Sequence, residues 1–215
     1  MATARRIERV RTVLSRRQPD LHVVLESATN AHNASAVLRT CDAAGVLHVH
    51  LVNPGPEAWP LNAAISTRAD KWLDIRTHAS LSNCLKELRN KRLSIAVTCL
   101  EEEAVDYESL DFTRPTAVVF GNESEGASRE ALELSDVRVK IPMLGMVQSL
   151  NLSVSVGVVL YEALKQRRAA GLLDRRRLSP REFGRLRRLW LAGATGSGAG
   201  DAPPGRRRPL SGRGD

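Results

Sequence analysis

At 215 residues, with 42% apolar and 26% charged side chains, the chain is sized for one domain with appendages and can fill a core. It holds no run of about 18 apolar residues, which argues against a membrane span. Its opening residues, Met-Ala-Thr-Ala-Arg-Arg, lack the apolar segment of a secretory signal. The net charge of +8 is uneven: residues 1–17 carry six arginines and one glutamate, 18–164 are net −7, and 165–190 are net +8. Two basic ends flank an acidic centre. Such ends are either solvated helices or a surface for phosphates, which arginine binds in bidentate fashion. The second reading makes Arg5, Arg6, Arg9, Arg11, Arg16, Arg167 and Arg168 candidate contacts to nucleic acid. Three widely spaced cysteines, Cys41, Cys84 and Cys99, form neither a CxxC nor a Cys/His ligand pattern. No disulfide framework and no metal are expected, and the setting expected is the reducing cytoplasm.

In chain order, residues 3–17 predict an amphipathic helix with Ile7, Val10 and Leu14 on one face, broken at Pro19-Asp20. Leu21–Leu25 reads as a buried strand. Thr29-Asn30 offers a cap for a helix ending at Gly45, and Val46–Leu51 is a strand closed by Asn53-Pro54-Gly55-Pro56. Between Leu61 and Asp74 a short helix is expected, then a strand near Trp72–Arg76. Ser80 caps a helix, Leu93–Thr98 is a strand, and residues 101–107 are loop. Thr116–Phe120 is a strand ending in Gly121-Asn122-Glu123-Ser124-Glu125-Gly126. Ser128 caps a helix, Val137–Ile141 is the last strand, and a helix follows Asn151 to about Gly171. Ser179-Pro180 starts another basic helix, to about Trp190. Residues 191–215, with seven glycines, cannot bury a core and are expected to be disordered. Strands alternating with helices predict an α/β domain around a mostly parallel sheet.

Dinucleotide and P-loop fingerprints are absent: there is no GxGxxG and no GxxxxGK[ST]. Three segments carry chemistry instead. Asn33 and Arg39 lie near the start of one helix, six residues apart and so on different faces; a helix beginning after Asn33 would free that asparagine to fold back. Gly121 at a strand's carboxyl end lets a ligand approach backbone, with Glu123 beside it for hydrogen bonding or acid–base work. The third runs from Ile141 to Glu162. It places Ser149, Asn151, Ser153, Ser155 and Gly157 at a helix start, small and polar enough for a ligand or another backbone to come close. The bland alternatives are a cap with a surface arginine, an acidic turn, and packed histidines at His48 and His50.

Taken together, Asn33…Arg39-Thr40, Gly121-Asn122-Glu123…Gly126 and Ile141-Pro142-Met143…Gly145…Ser149-Leu150-Asn151…Ser153…Leu160-Tyr161-Glu162 resemble the signature motifs of the SpoU/TrmH family of RNA ribose 2'-O-methyltransferases, within the SPOUT superfamily. The likeness spans about residues 5–170 and is strongest to bacterial members that act on guanosine 18 of tRNA. It implies an α/β fold with a C-terminal deep trefoil knot, a rare exception to ordinary connection rules. It also implies S-adenosylmethionine as methyl donor, no metal, tRNA as partner and a homodimer. By position, Thr98, Leu100, Gly121, Ile141, Met143 and Leu150 would line the cofactor pocket, with Ser149 and Asn151 near the reactive centre. Ser153–Gly157 would face the partner subunit.

The resemblance further makes Arg39 the general base, held by Asn33, with Glu123 as proton acceptor or anchor. A guanidinium gives up its proton only above about pH 12, and a neighbouring phosphate favours its charged form. Two roles for Arg39 therefore stay open: removing the proton, or orienting phosphate and stabilising a developing alkoxide. The division implied is 1–20 as a basic RNA-binding helix, 21–171 as the catalytic domain, 172–190 as a second basic helix and 191–215 as tail. The competing readings are a ribosomal RNA or other tRNA ribose as substrate, an inactive RNA-binding module, and a small-molecule enzyme.

Overall fold

The computed structural model describes residues 2–28, 30–53 and 69–193. The expected turn at 54–56, most of the expected short helix after Leu61, Thr29 and the tail from 194 onward lie outside the described residues. Among the described residues, seven strands form one sheet: β1 (Gln18–Glu26), β2 (Val46–Val52), β3 (Asp74–His78), β4 (Ser94–Thr98), β5 (Val105–Asp106), β6 (Thr116–Phe120) and β7 (Val137–Lys140). Their order is β3-β2-β1-β6-β4-β7-β5, and every pairing is parallel. A parallel sheet is covered on both faces. The central strands accordingly read as continuous apolar runs, with β6 (Thr-Ala-Val-Val-Phe) buried throughout.

The α-helices of the described residues are α1 (Ala4–Ser15), α2 (Ala31–Ala44), α3 (Leu81–Asn90), α4 (Arg129–Glu133), α5 (Leu152–Ala169) and α6 (Pro180–Ala192). Each start is a side-chain cap: Thr3, Asn30, Ser80, Ser128, Asn151 and Ser179 all accept backbone N–H groups. On one sheet face Leu21, Val23, Leu25, Val49, Leu51, Val118 and Phe120 pack with Val37, Leu38 and Cys41 of α2 and Val156, Val159 and Leu160 of α5. On the other, Val24, Val52, Ile95, Val97, Ala117 and Val119 pack with Leu81, Cys84, Leu85 and Leu88 of α3. Because strand side chains alternate, a one-residue slip would exchange these two sets.

Several boundaries differ from expectation. β1 begins at Gln18, not Leu21, because the Gln18 amide donates to the Gly45 carbonyl (2.9 Å) and its side chain to the Ala44 carbonyl (2.7 Å). A register irregularity between Gln18 and His22 absorbs Pro19. β3 runs Asp74–His78 after a 3-10 turn at Ala69–Trp72, and the expected loop at 101–107 contributes the edge strand β5.

Away from the sheet, α1 and α6 pack together. Val10 and Leu14 meet Leu186 and Trp190 over Leu47 and Leu178. Arg17, fully buried behind α1, donates to the carbonyls of Asp42, Val46 and Trp72 (3.0, 3.0 and 3.1 Å), pairs with the Asp42 carboxylate and lies 5.3 Å from the Trp190 ring centroid. This arginine, counted among the basic end, is an internal strut.

Candidate active site

The carboxyl ends of β4, β6 and β7 open onto a cavity of about 500 Å³. This is the edge where open α/β sheets bind ligands. Thr98, Cys99, Leu100 and Glu101 line it after β4, Gly121–Ala127 after β6, and Ile141, Met143, Ser149 and Leu150 from the loop after β7. All six residues expected at the cofactor, Thr98, Leu100, Gly121, Ile141, Met143 and Leu150, stand on its wall, together with Glu123 and Ser149. Phe120, Leu132, Leu152 and Ser155 complete it.

Gly121 is required by close approach. A Cβ there would fall 2.1–2.2 Å from the backbone of Gly126 and Ala127, far inside contact distance. The loop it begins is tied back on itself by reciprocal Asn122–Gly126 backbone bonds (2.8 and 2.9 Å). Asn122 fixes the loop further, accepting from the amides of Ser124 and Glu125 and donating to the Ser27 carbonyl at 2.7 Å. Ser27 itself sits at a left-handed φ of 51°. Sequence reasoning did not single out Asn122 as an anchor; its place directly after Gly121 was the available signal.

The three motif segments meet at the rim. Asn151 caps α5, its Oδ1 accepting from the Ser153 amide (2.9 Å) and hydroxyl (2.6 Å). Its Nδ2 donates to Asn33 Oδ1 at 3.0 Å, and Asn33 Nδ2 donates to Glu123 Oε1 at 3.1 Å. The other carboxylate oxygen, Glu123 Oε2, is buried with no hydrogen-bond partner among the described residues. An acceptor in that state calls for a donor, from water or from a ligand.

Two expectations are corrected here. α2 starts at Ala31, behind the Asn30 cap that the sequence offers, so Asn33 lies inside its first turn. Its side chain is spent on Glu123 and Asn151 and does not reach Arg39, which stands exposed further along α2 without an ion pair or hydrogen bond among the described residues. The second concerns Arg167, expected to meet RNA. It is fully buried, donating to the carbonyls of Phe112 (2.7 Å), Arg114 (3.1 Å) and Asp20 (3.3 Å), to Gln18, and to the Asp20 carboxylate at 2.7 Å. Burial lowers its proton affinity while Asp20 raises it. Its neighbour Arg168 is exposed, as are Arg5, Arg9 and Arg16. Arg6 is exposed as well and donates to the Trp190 carbonyl at 3.1 Å, and Arg11 pairs with Glu8 at 2.8 Å.

Residues 20–161 match the SpoU rRNA Methylase family. The chain belongs to that family. A tRNA (guanosine(18)-2'-O)-methyltransferase of Thermus thermophilus is 48% identical over 189 residues, covering 88% of this chain and 97% of that protein. Its Escherichia coli counterpart is 42% identical over 167 residues, covering 78% and 72%. Among solved structures, the Aquifex aeolicus TrmH/SpoU tRNA modifying enzyme superposes with a TM-score of 0.82 at 39% identity, covering 88% of this chain and 96% of that one. The SpoU methyltransferase AviRb of Streptomyces viridochromogenes, in complex with the cofactor AdoMet, gives 0.63 at 26% identity, covering 71% and 62%.

Proposed function

We propose that this family member transfers the methyl group of S-adenosylmethionine to the ribose 2'-hydroxyl of guanosine 18 in tRNA. The observation that carries the reading is the chain Asn151–Asn33–Glu123, drawn from three motifs, at the rim of a cavity lined by all six expected cofactor residues. The identity to tRNA guanosine-18 methyltransferases over most of both chains supports the choice of substrate.

The residues suit the cofactor. Leu100, Ile141, Met143 and Leu150 offer apolar contact for an adenine, and Gly121 brings backbone to the cavity wall. When bound, S-adenosylmethionine supplies a methyl group on a sulfonium. Passage of that methyl to the 2'-oxygen would leave a neutral thioether on the cofactor and would require the hydroxyl to lose its proton. What the chain must do is align the hydroxyl, take up the proton's charge and keep the site dry. Glu123 Oε2, buried and unpartnered, is placed to accept from a donor in the cavity. Ser149, exposed on the loop after β7, and Asn151 position that loop and the ribose. Arg39, exposed and charged, holds the substrate phosphate and stabilises the alkoxide as it forms.

The finer architecture belongs to the same reading. The segment 141–150, from which Ile141, Met143, Ser149 and Leu150 line the cavity opposite residues 98–101 and 120–127, is assigned as the loop of a trefoil knot. Leu144, Met146, Val147, Val154 and Tyr161 form an exposed apolar set on that loop and on α5, beside Ser153 and Gly157, and a second copy covers it. The exposed arginines Arg5, Arg9, Arg16 and Arg168 carry tRNA phosphates. Free thiols at Cys41, Cys84 and Cys99 suit the reducing cytoplasm. Labelled methyl transfer to undermodified total tRNA, followed by mapping of the modified ribose, tests the proposal. Label at guanosine 18 is expected; label on ribosomal RNA alone would overturn the substrate.

A further inference from the structure

Behind the sheet face covered by α3 runs a row of imidazoles, one from each of three adjacent strands. His22 of β1 lies 3.0 Å from His50 of β2 (Nδ1 to Nε2), and His50 lies 2.9 Å from His78 of β3 (Nδ1 to Nε2). At the near end, His22 Nε2 meets the Pro19 carbonyl at 3.0 Å. At the far end the thiol of Cys84, on α3, joins the group: one donor atom each from His50, His78 and Cys84 falls within 4.8 Å of the others.

We infer that His50, His78 and Cys84 form a binding site for a divalent transition-metal ion of the zinc type. The donor set is one that such ions favour, two imidazole nitrogens and one sulfur. Tautomers make the case stronger. A carbonyl oxygen can only accept, so the Pro19 carbonyl places the His22 proton on Nε2. His22 Nδ1 then accepts, so His50 carries its proton on Nε2 and turns its Nδ1 lone pair toward His78. A metal-bound histidine needs that arrangement: one nitrogen toward the ion, the other donating to an outer partner that fixes the ring. Here the outer partners, His22 and then Pro19, are already in place.

Binding balances as follows. His50 Nδ1 gives its lone pair to the ion. His78, whose Nε2 proton faces His50 without metal, changes tautomer so that Nε2 gives a lone pair and Nδ1 holds the proton. Cys84 binds as thiolate and releases one proton to water. The 2.9 Å nitrogen separation must open to about 3.4 Å for two nitrogens in a tetrahedral zinc shell. His78 is the ligand free to move, being half-buried at the strand's end, while His50 and Cys84 are buried. Glu87, a turn beyond Cys84, is held by Arg76 (3.0 Å) and Lys91 (2.6 Å), which leaves the fourth position to water. The site stands apart from the methyl-transfer cavity, since β1 separates β2 from β6. Its ligands come from two strands and a helix, which is why no ligand spacing marks it in the sequence.

The test uses the full chain stripped with a chelator and titrated with Co²⁺. One equivalent is expected, with the bands of a tetrahedral ion and a thiolate-to-cobalt charge-transfer band, both displaced by Zn²⁺. Cys84→Ser should abolish the charge-transfer band, His78→Gln should weaken Co²⁺ binding at least tenfold, and Cys99→Ser should change neither. Circular dichroism establishes that each variant is folded. If Cys84→Ser does not fold, the half-buried His78→Gln decides. No Co²⁺ uptake by the folded chain, a charge-transfer band surviving Cys84→Ser, or unchanged affinity in His78→Gln overturns the site.

Discussion

Arg39 stands exposed on α2 without a partner among the described residues, while Arg167 commits all three guanidinium nitrogens to buried acceptors. Substitutions should separate these two uses of one amino acid. Arg39→Ala is expected to leave S-adenosylmethionine binding intact by calorimetry while methyl transfer to tRNA disappears; near-normal turnover would remove Arg39 from the mechanism. Arg167→Ala strands the Phe112 carbonyl, leaves the Arg114 carbonyl to the Thr116 hydroxyl alone, and leaves Asp20 with Arg177 as its one ion-pair partner among the described residues. A buried carbonyl left without its donor costs about 1–3 kcal/mol, and the cavity left by the side chain adds to that. Arg168→Ala, on the surface, should cost less than about 0.5 kcal/mol. Urea unfolding of both variants reads the difference, and equal losses would contradict the burial argument.

At the scale of elements, periodicity and capping residues were enough to place α1, α2, α3, α5 and α6 to within a residue or two, because each carries its cap in its own sequence. What local pattern could not show was set by partners distant in the chain. Gln18 joins β1 because Gly45 lies opposite, and β5 is a strand only because β7 offers an edge. Arg17 and Arg167 looked like members of basic ends, and only tertiary packing turns them inward. The candidate site was legible in its residue types, since the motifs are contiguous, but not in its wiring. Asn33 pairs with residues 90 and 118 positions away. The packed pair α1 and α6 also bears on the proposed RNA contacts. Arg9 is exposed and unpaired among the described residues, whereas Arg11 is already matched by Glu8. Arg9→Ala should therefore lower the slope of log affinity against log salt by about 1, and Arg11→Ala by less. Titrations of tRNA at several salt concentrations measure this. A slope unchanged in Arg9→Ala would mark the helix as mere solvated surface.

For the molecule as a whole, the apolar set at Leu144, Met146, Val147, Val154 and Tyr161 is the feature a solitary chain handles badly. A charge introduced into it, Val154→Glu, should convert a dimer to a monomer in sedimentation at micromolar concentration. The unaltered chain sedimenting as a monomer would sink the dimer reading.

The contact between Asn151 and Asn33 has a polarity that one backbone amide decides. A main-chain N–H can only give, so the Ser153 amide holds the oxygen of the Asn151 carboxamide toward α5. Its nitrogen must then face Asn33, whose oxygen must turn to meet it, and whose nitrogen must point at Glu123. Current runs one way along this wire, from a helix cap to a carboxylate. Glu123 is thus kept as a receiver on Oε1, with Oε2 left bare for whatever enters the cavity. A helix end some distance along the chain thereby dictates the electrical face that the pocket shows its guest.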